Sequence, residues 1–191
     1  MLVENIRKVR LNQAVLLNQR LNEFRAFQNA SKDAIFLELC FCLLTANFSA
    51  QRSINIHQRI GTGFLSLSKQ ELAAKLKELG YRFPNTRANY IVLARELKDS
   101  LELNRDWLVQ NIKGLGMKES SHFLRNIGFT QYAIIDFHII DLLVREGLIE
   151  RPKYLNKKEY LRIEELLKGF SSNLAELDLI LWFLETGKIL K

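Results

Sequence analysis

An all-α fold is what this chain of 191 residues predicts. Three observations point to it. Apolar residues recur at helical spacing along most of the chain, and glycines fall mostly where those periodic stretches stop. Only one short stretch, YAIID, resembles a strand, and five residues cannot make a sheet.

The first periodic stretches cover 3–26 and 33–46, and a third, 51–60, stops at Gly61. Next comes a face of Leu72, Leu76 and Leu79, opened by Ser68 and Glu71 in the S-x-x-E spacing of a capping box and closed by Gly80. Helices follow over 86–98 and 105–112, the second offering Leu108, Val109 and Ile112 for packing. A helix over 117–126 lies between Gly116 and Gly128, one over 137–146 stops at Gly147, and one over 157–169 stops at Gly169. The last face is Leu174, Leu177, Leu181 and Leu184, with Asn173 as its N-cap. There is no repeat and no low-complexity linker.

Composition bounds the partners. The chain is 48% hydrophobic, enough for one domain or two small lobes sharing a core. Lys and Arg number 28 against 21 Asp and Glu, a net charge of +7 that fits a polyanionic partner such as nucleic acid. Cys40 and Cys42 point to different sides of one helix, which reads as two buried hydrophobes in a reducing compartment rather than a disulfide. The N-terminal MLVENIRKVRLNQ lacks the apolar block of a signal peptide, and the run LILWFL is far short of a membrane span. A soluble cytoplasmic protein is expected.

The stretch IKGLGMKESSHFLRNIG carries the first chemical signal. Gly114-Leu115-Gly116 joins two helices, permits a tight turn and leaves backbone N–H groups uncovered at the next helix start, a seat for phosphate without sequence preference. An ordinary helix–helix corner would use the same glycines. Lys118 follows at that helix start, where the dipole disfavours a cation. An amine kept neutral can attack carbon and form a Schiff base; a solvated amine would only contact phosphate. One helix and a return further on, Asp136 precedes FHIIDLLVREG as a natural N-cap, and it can also stabilise a developing cation or shuttle protons.

With these residues in place the chain resembles a known family. GLGMK followed by Asp136 looks like the signature of the helix-hairpin-helix DNA glycosylases, in which a lysine after the hairpin marks the members that both excise a base and nick the strand. LCFCLLTANFSAQ, YRFPNTRANYIV and the ending LDLILWFLETGKILK are similar to the type-2 8-oxoguanine DNA glycosylase/lyases of archaea and some bacteria. Lys113 departs from the proline of many such hairpins, and the four C-terminal cysteines of an iron–sulfur cluster are missing from the sequence.

The resemblance implies two helical lobes flanking an active-site cleft: one of roughly 48–130 carrying the hairpin, the other built from the N- and C-terminal helices. It implies base flipping, attack of Lys118 on C1′ of the damaged nucleotide, support from Asp136, and β-elimination through the imine. Lys113, Gly114 and Gly116 would grip the DNA backbone. Asn47 would fill the gap left by the flipped base, or merely end a helix; Phe83 would be a wedge beside the estranged base, or a core aromatic. Trp182 would be a stacking platform or core, and the terminal Lys191 a contact to the base through its α-carboxylate or a frayed tail. No metal and no cofactor is implied, and His57, His122 and His138 read as structural, with His138 notable for standing two residues after Asp136. The expected partner is double-stranded DNA containing 8-oxoguanine, bound by a monomer at the nucleoid of a prokaryotic cell, with no membrane and no iron–sulfur cluster. A glycosylase/lyase for another lesion, such as an oxidised pyrimidine, and a non-enzymatic hairpin module are the alternatives.

Overall fold

Seven short polar side chains start helices in this chain. Ser31, Ser49, Ser68, Asn104, Asp136, Asn156 and Asn173 each accept the backbone N–H of the residue three positions on. Each satisfies one of the donors that a helix N-terminus leaves orphaned. At Ser68 the box is reciprocal, because the Glu71 carboxylate also accepts the Ser68 N–H at 2.9 Å.

The structure is a computed structural model and describes residues 1–190. Twelve α-helices lie among the described residues: α1 (Leu2–Asn12), α2 (Ala14–Arg25), α3 (Lys32–Thr45), α4 (Ala50–Ile60), α5 (Gly63–Ser66), α6 (Lys69–Glu78), α7 (Pro84–Glu96), α8 (Arg105–Asn111), α9 (Met117–Asn126), α10 (Phe137–Arg145), α11 (Lys157–Lys168) and α12 (Leu174–Thr186). Two 3-10 turns, Ala26–Asn29 and Lys98–Ser100, complete the regular structure. No strand occurs among the described residues. The chain divides into two units, one of Asn29–Leu124 and one of Met1–Gln28 with Arg125 onward.

In the unit 29–124 the core is α3. Phe36, Leu39, Cys40, Phe41, Cys42, Leu43 and Leu44 are all fully buried, so the helix is apolar on every side, and α4, α5 and α7 pack around it. Neither cysteine forms a disulfide; both are buried, and burial pushes the Cys40 thiol well above its ordinary value. In the other unit α12 takes this place, with α1, α2 and α10 against it. Arg10 of α1 grips Glu176 of α12 through two bonds of 3.0 Å each, and Arg145 of α10 pairs with Glu185 of α12.

Two expectations needed correction. The stretch 3–26 is two helices, interrupted at Gln13, whose N–H still bonds Val9 O at 2.8 Å. No glycine or proline stands there, so periodicity could not reveal the break. The short α5 was also unforeseen; it buries Phe64 between Gly61 and Leu67. No helix among the described residues is long and apolar enough to cross a membrane.

Candidate active site

The hairpin lies in the unit 29–124. Helix α8 starts on Asn104 and closes against the core through Leu108; Ile112 and Leu115 are buried on either side of the turn. Gly114 has φ 93°, and a Cβ there would lie 2.3 Å from Tyr90 Cδ2, so the Tyr90 ring presses directly on the turn. Only glycine meets both demands. Lys113 Nζ sits 5.8 Å from the same ring, held in a cation–π contact beside the turn.

Helix α9 begins one residue after Gly116 and carries Lys118 in its first turn, half-buried. Glu119, its neighbour, reaches both ways. Its Oε2 accepts the Gly116 N–H at 3.4 Å, and its Oε1 lies 3.8 Å from Lys118 Nζ. The carboxylate thus offsets the dipole that a cation meets at a helix start. Further along α9, Ser121 Oγ donates to Met117 O at 2.8 Å and accepts from the buried Arg105 at 3.3 Å, tying the two helices of the hairpin at the residue before the lysine.

Asn47 and Phe83 belong to the same unit and both are exposed, Phe83 at 41%. The core-aromatic reading of Phe83 is therefore excluded. Helix α3 ends at Thr45 with Ala46 as its C-cap, and Asn47 follows with φ 56°, the one non-glycine residue in the left-handed region among the described residues. Asparagine tolerates that conformation better than most side chains. The turn is braced from below. Tyr81 Oη donates to Leu44 O at 2.8 Å, the buried Arg87 donates to Ala46 O at 3.2 Å and to Tyr81 Oη at 3.0 Å, and the Phe48 ring packs on Tyr81 at 4.5 Å. Burial pushes the Tyr81 hydroxyl above its ordinary value, against the pull of Arg87, which keeps it a donor.

Asp136 belongs to the other unit. The stretch before it looks like a strand and has no strand to pair with. Helix α11 supplies what a sheet would: Tyr160 Oη accepts the Ile135 N–H at 3.1 Å and donates to Ala133 O at 2.7 Å, and the Glu164 carboxylate accepts the Ala133 N–H at 2.8 Å. Chain so anchored delivers Asp136 to the start of α10, where Oδ1 accepts the Ile139 N–H at 3.1 Å. The cap engages one carboxylate oxygen and leaves Oδ2 outside it.

Beside Asp136 stands an aromatic group. His138 meets the Trp182 ring edge-on at 4.9 Å between centroids, and Phe137, 65% exposed, lies against His138 at 4.0 Å. Trp182 is partly exposed, so it is not the core residue its leucine-rich helix resembles. Lys191 lies outside the described residues.

Sequence reading missed Glu119, Tyr90 and Arg87. Glu119 had a signal: G-x-x-E repeats the spacing of Ser68-x-x-Glu71 at the start of another helix. Arg87 and Tyr90 had none, because both look like surface residues of an ordinary helix.

A glycine hairpin opening onto a lysine-bearing helix, within an all-helical chain, defines a helix-hairpin-helix glycosylase fold. The family model for 8-oxoguanine DNA glycosylase matches residues 17–176. A relative from Korarchaeum cryptofilum, an 8-oxoguanine DNA glycosylase/AP lyase, is 50% identical over 92% of this chain and 90% of its own. The crystal structure of the Methanocaldococcus jannaschii 8-oxoguanine glycosylase/lyase in complex with a 15mer DNA containing 8-oxoguanine superposes with a TM-score of 0.95, at 46% identity over the whole of both chains. The 8-oxoguanine DNA glycosylase of Thermotoga maritima gives 0.91 at 41% identity, covering 100% of this chain and 98% of that one. The chain belongs to the 8-oxoguanine DNA glycosylase family. Membership sets aside the reading as a non-enzymatic hairpin module.

Proposed function

We propose that this chain excises 8-oxoguanine from duplex DNA and then cleaves the strand, with Lys118 as nucleophile and Asp136 as its acid–base and electrostatic partner. The observation that carries the reading is full-length similarity to a glycosylase/lyase captured on 8-oxoguanine DNA, together with a half-buried lysine at the start of the hairpin helix. The damaged nucleotide leaves the stack, because C1′ is shielded inside it. The neutral Lys118 amine forms a bond to C1′ as the C1′–N9 bond breaks, and the departing base takes up a proton. The negative charge of Asp136 stabilises the cationic sugar that develops. Loss of the amine proton opens the sugar at O4′ and gives an imine. Removal of a C2′ proton then expels the 3′-phosphate by β-elimination, and water releases the lysine.

The remaining residues serve recognition in this reading. Lys113, Gly114 and Gly116 grip the backbone, Asn47 fills the vacated stack, and Phe83 wedges beside the estranged base. Trp182, backed by His138, is the stacking surface for the extruded base, and Lys191 contacts the polar edge of that base. The enzyme works as a monomer, without metal, in the prokaryotic cytoplasm at the nucleoid.

Excision from a panel of duplexes tests the substrate. The 8-oxoguanine duplex should be cleaved at least ~100-fold faster than one with an oxidised pyrimidine, given the discrimination a site gains from buried polar contacts. Equal rates on both would overturn the assignment.

A further inference from the structure

Two elements of the unit 29–124 that the proposed function sends to DNA are the turn at Asn47 and the turn at Gly114. They are joined by one side chain. Arg87, buried on α7, donates to Ala46 O at 3.2 Å, the carbonyl immediately before Asn47. Its Nε donates at 3.0 Å to Tyr81 Oη, which itself holds Leu44 O at 2.8 Å. The same guanidinium lies 5.7 Å from the centroid of Tyr90, the ring pressed on Gly114. From above, Arg52 fixes Phe48 (4.8 Å to its centroid) and donates to Gly80 O at 2.8 Å.

We infer that Arg87 is a positioning residue, which holds Asn47 in its left-handed backbone and sets that side chain in register with the phosphate-gripping turn at Gly114. The inference rests on the gap-filling role of Asn47 proposed above. Its physics is direct. A non-glycine residue at φ 56° is disfavoured in isolation and persists because its surroundings fix it. The carbonyls at the C-terminal end of α3 lack intrahelical partners; Tyr81, together with Ser53, supplies donors at Leu44, and Arg87 supplies one at the C-cap residue Ala46. A planar, forked donor can hold a carbonyl, a hydroxyl and a ring face together; a lysine ammonium cannot keep that geometry. The flipped state needs the filler in place, so displacement at Asn47 reads out in the rate rather than in affinity for intact duplex.

The test compares Arg87→Lys, the milder Tyr81→Phe, Asn47→Ala and the double variants of Asn47→Ala with each. Excision is measured in single turnover at saturating enzyme on an 8-oxoguanine duplex; affinity is measured on the same duplex without the lesion; folding is checked by thermal melting. The expected result is excision slowed about tenfold or more by Arg87→Lys, and less by Tyr81→Phe, with affinity for intact duplex within about threefold of wild type. In the Asn47→Ala background neither change should slow excision further, because the positioned group is gone. Wild-type excision in a folded Arg87→Lys or Tyr81→Phe enzyme overturns the inference. So does an unchanged slowing in the Asn47→Ala background, which marks a merely structural role. Wild-type excision by Asn47→Ala alone overturns the gap-filling reading itself, a separate failure. Should Arg87→Lys not fold, the Tyr81→Phe arms decide.

Discussion

Asp136 and Ile139 are joined by a helix cap: the Asp136 carboxylate accepts the Ile139 N–H at 3.1 Å through Oδ1 alone. One residue thus carries a structural duty and a proposed chemical one on different oxygens. The two separate by substitution. Asp136→Asn keeps an amide oxygen for the cap, so its melting temperature should stay within about 2 °C of wild type, while excision falls about 10²–10⁴-fold. Asp136→Ala should lose about 1 kcal/mol of stability as well. Melting curves beside single-turnover excision check both; an active Asp136→Asn enzyme would contradict the chemical duty.

Gly114 and Gly147 share positive φ, 93° and 68°, and differ in surroundings. A Cβ at Gly147 meets nothing within 4 Å, whereas one at Gly114 meets Tyr90. Gly147→Ala should cost about 1 kcal/mol, from backbone strain alone. Gly114→Ala should cost about 2–4 kcal/mol, because the Tyr90 ring must also move. Denaturant unfolding of the two variants decides, and equal losses would show that Tyr90 yields freely.

Tyr160→Phe removes the hydroxyl that serves both Ile135 N–H and Ala133 O. Both groups are buried on the approach to Asp136, so the loss should be about 1–3 kcal/mol. Hydrogen exchange at the Ile135 amide should quicken more than exchange at Leu108, which lies in the other unit. Uniform quickening at the two would mean that Tyr160 supports global packing only.

The Ser68–Glu71 box makes a prediction in pH. Hydrogen bonds from the Ser68 side chain, then from its backbone, hold the Glu71 carboxyl below its ordinary value. A carboxylate whose folded value is depressed adds stability above its unfolded value and loses it as pH falls through the folded one. The advantage of wild type over Glu71→Gln should therefore be constant above about pH 5 and shrink steadily below about pH 4. Melting temperatures of both proteins across that range test the sign.

How far the sequence carries the structure depends on which partners a residue uses. The Ser68 box and the Asp136 cap rest on neighbours within three residues, so spacing alone displays them; at the Gly114 turn the sequence displays the glycines but not the Tyr90 ring pressed on them. The helix faces of α6 and α12 follow from leucine periodicity, and Leu72, Leu76, Leu174, Leu177 and Leu181 are buried as that pattern demands. Arg87 is the opposite case. Its carbonyl partner lies 41 residues away, and one arginine on a helix reads as solvated. The strand-like YAIID forms no strand, as expected of five residues with no partner; what the sequence did not display is that α11 satisfies its backbone from side chains. Trp182 and Phe83 divided on exposure, which periodicity does not report.

The central claim is that Lys118 is the nucleophile. Glu119 Oε1 lies 3.8 Å from its ammonium, and with both side chains partly exposed that pair contributes under about 1 kcal/mol. Lys118→Gln should therefore fold as wild type does. Borohydride reduction during reaction with an 8-oxoguanine duplex, followed by mass spectrometry of the digested adduct, tests the claim most directly. The account predicts a covalent protein–DNA species in wild type, its mass carried by the peptide containing Lys118, and none in folded Lys118→Gln. A crosslink of equal yield in Lys118→Gln, or an adduct mapped to another lysine, would contradict it.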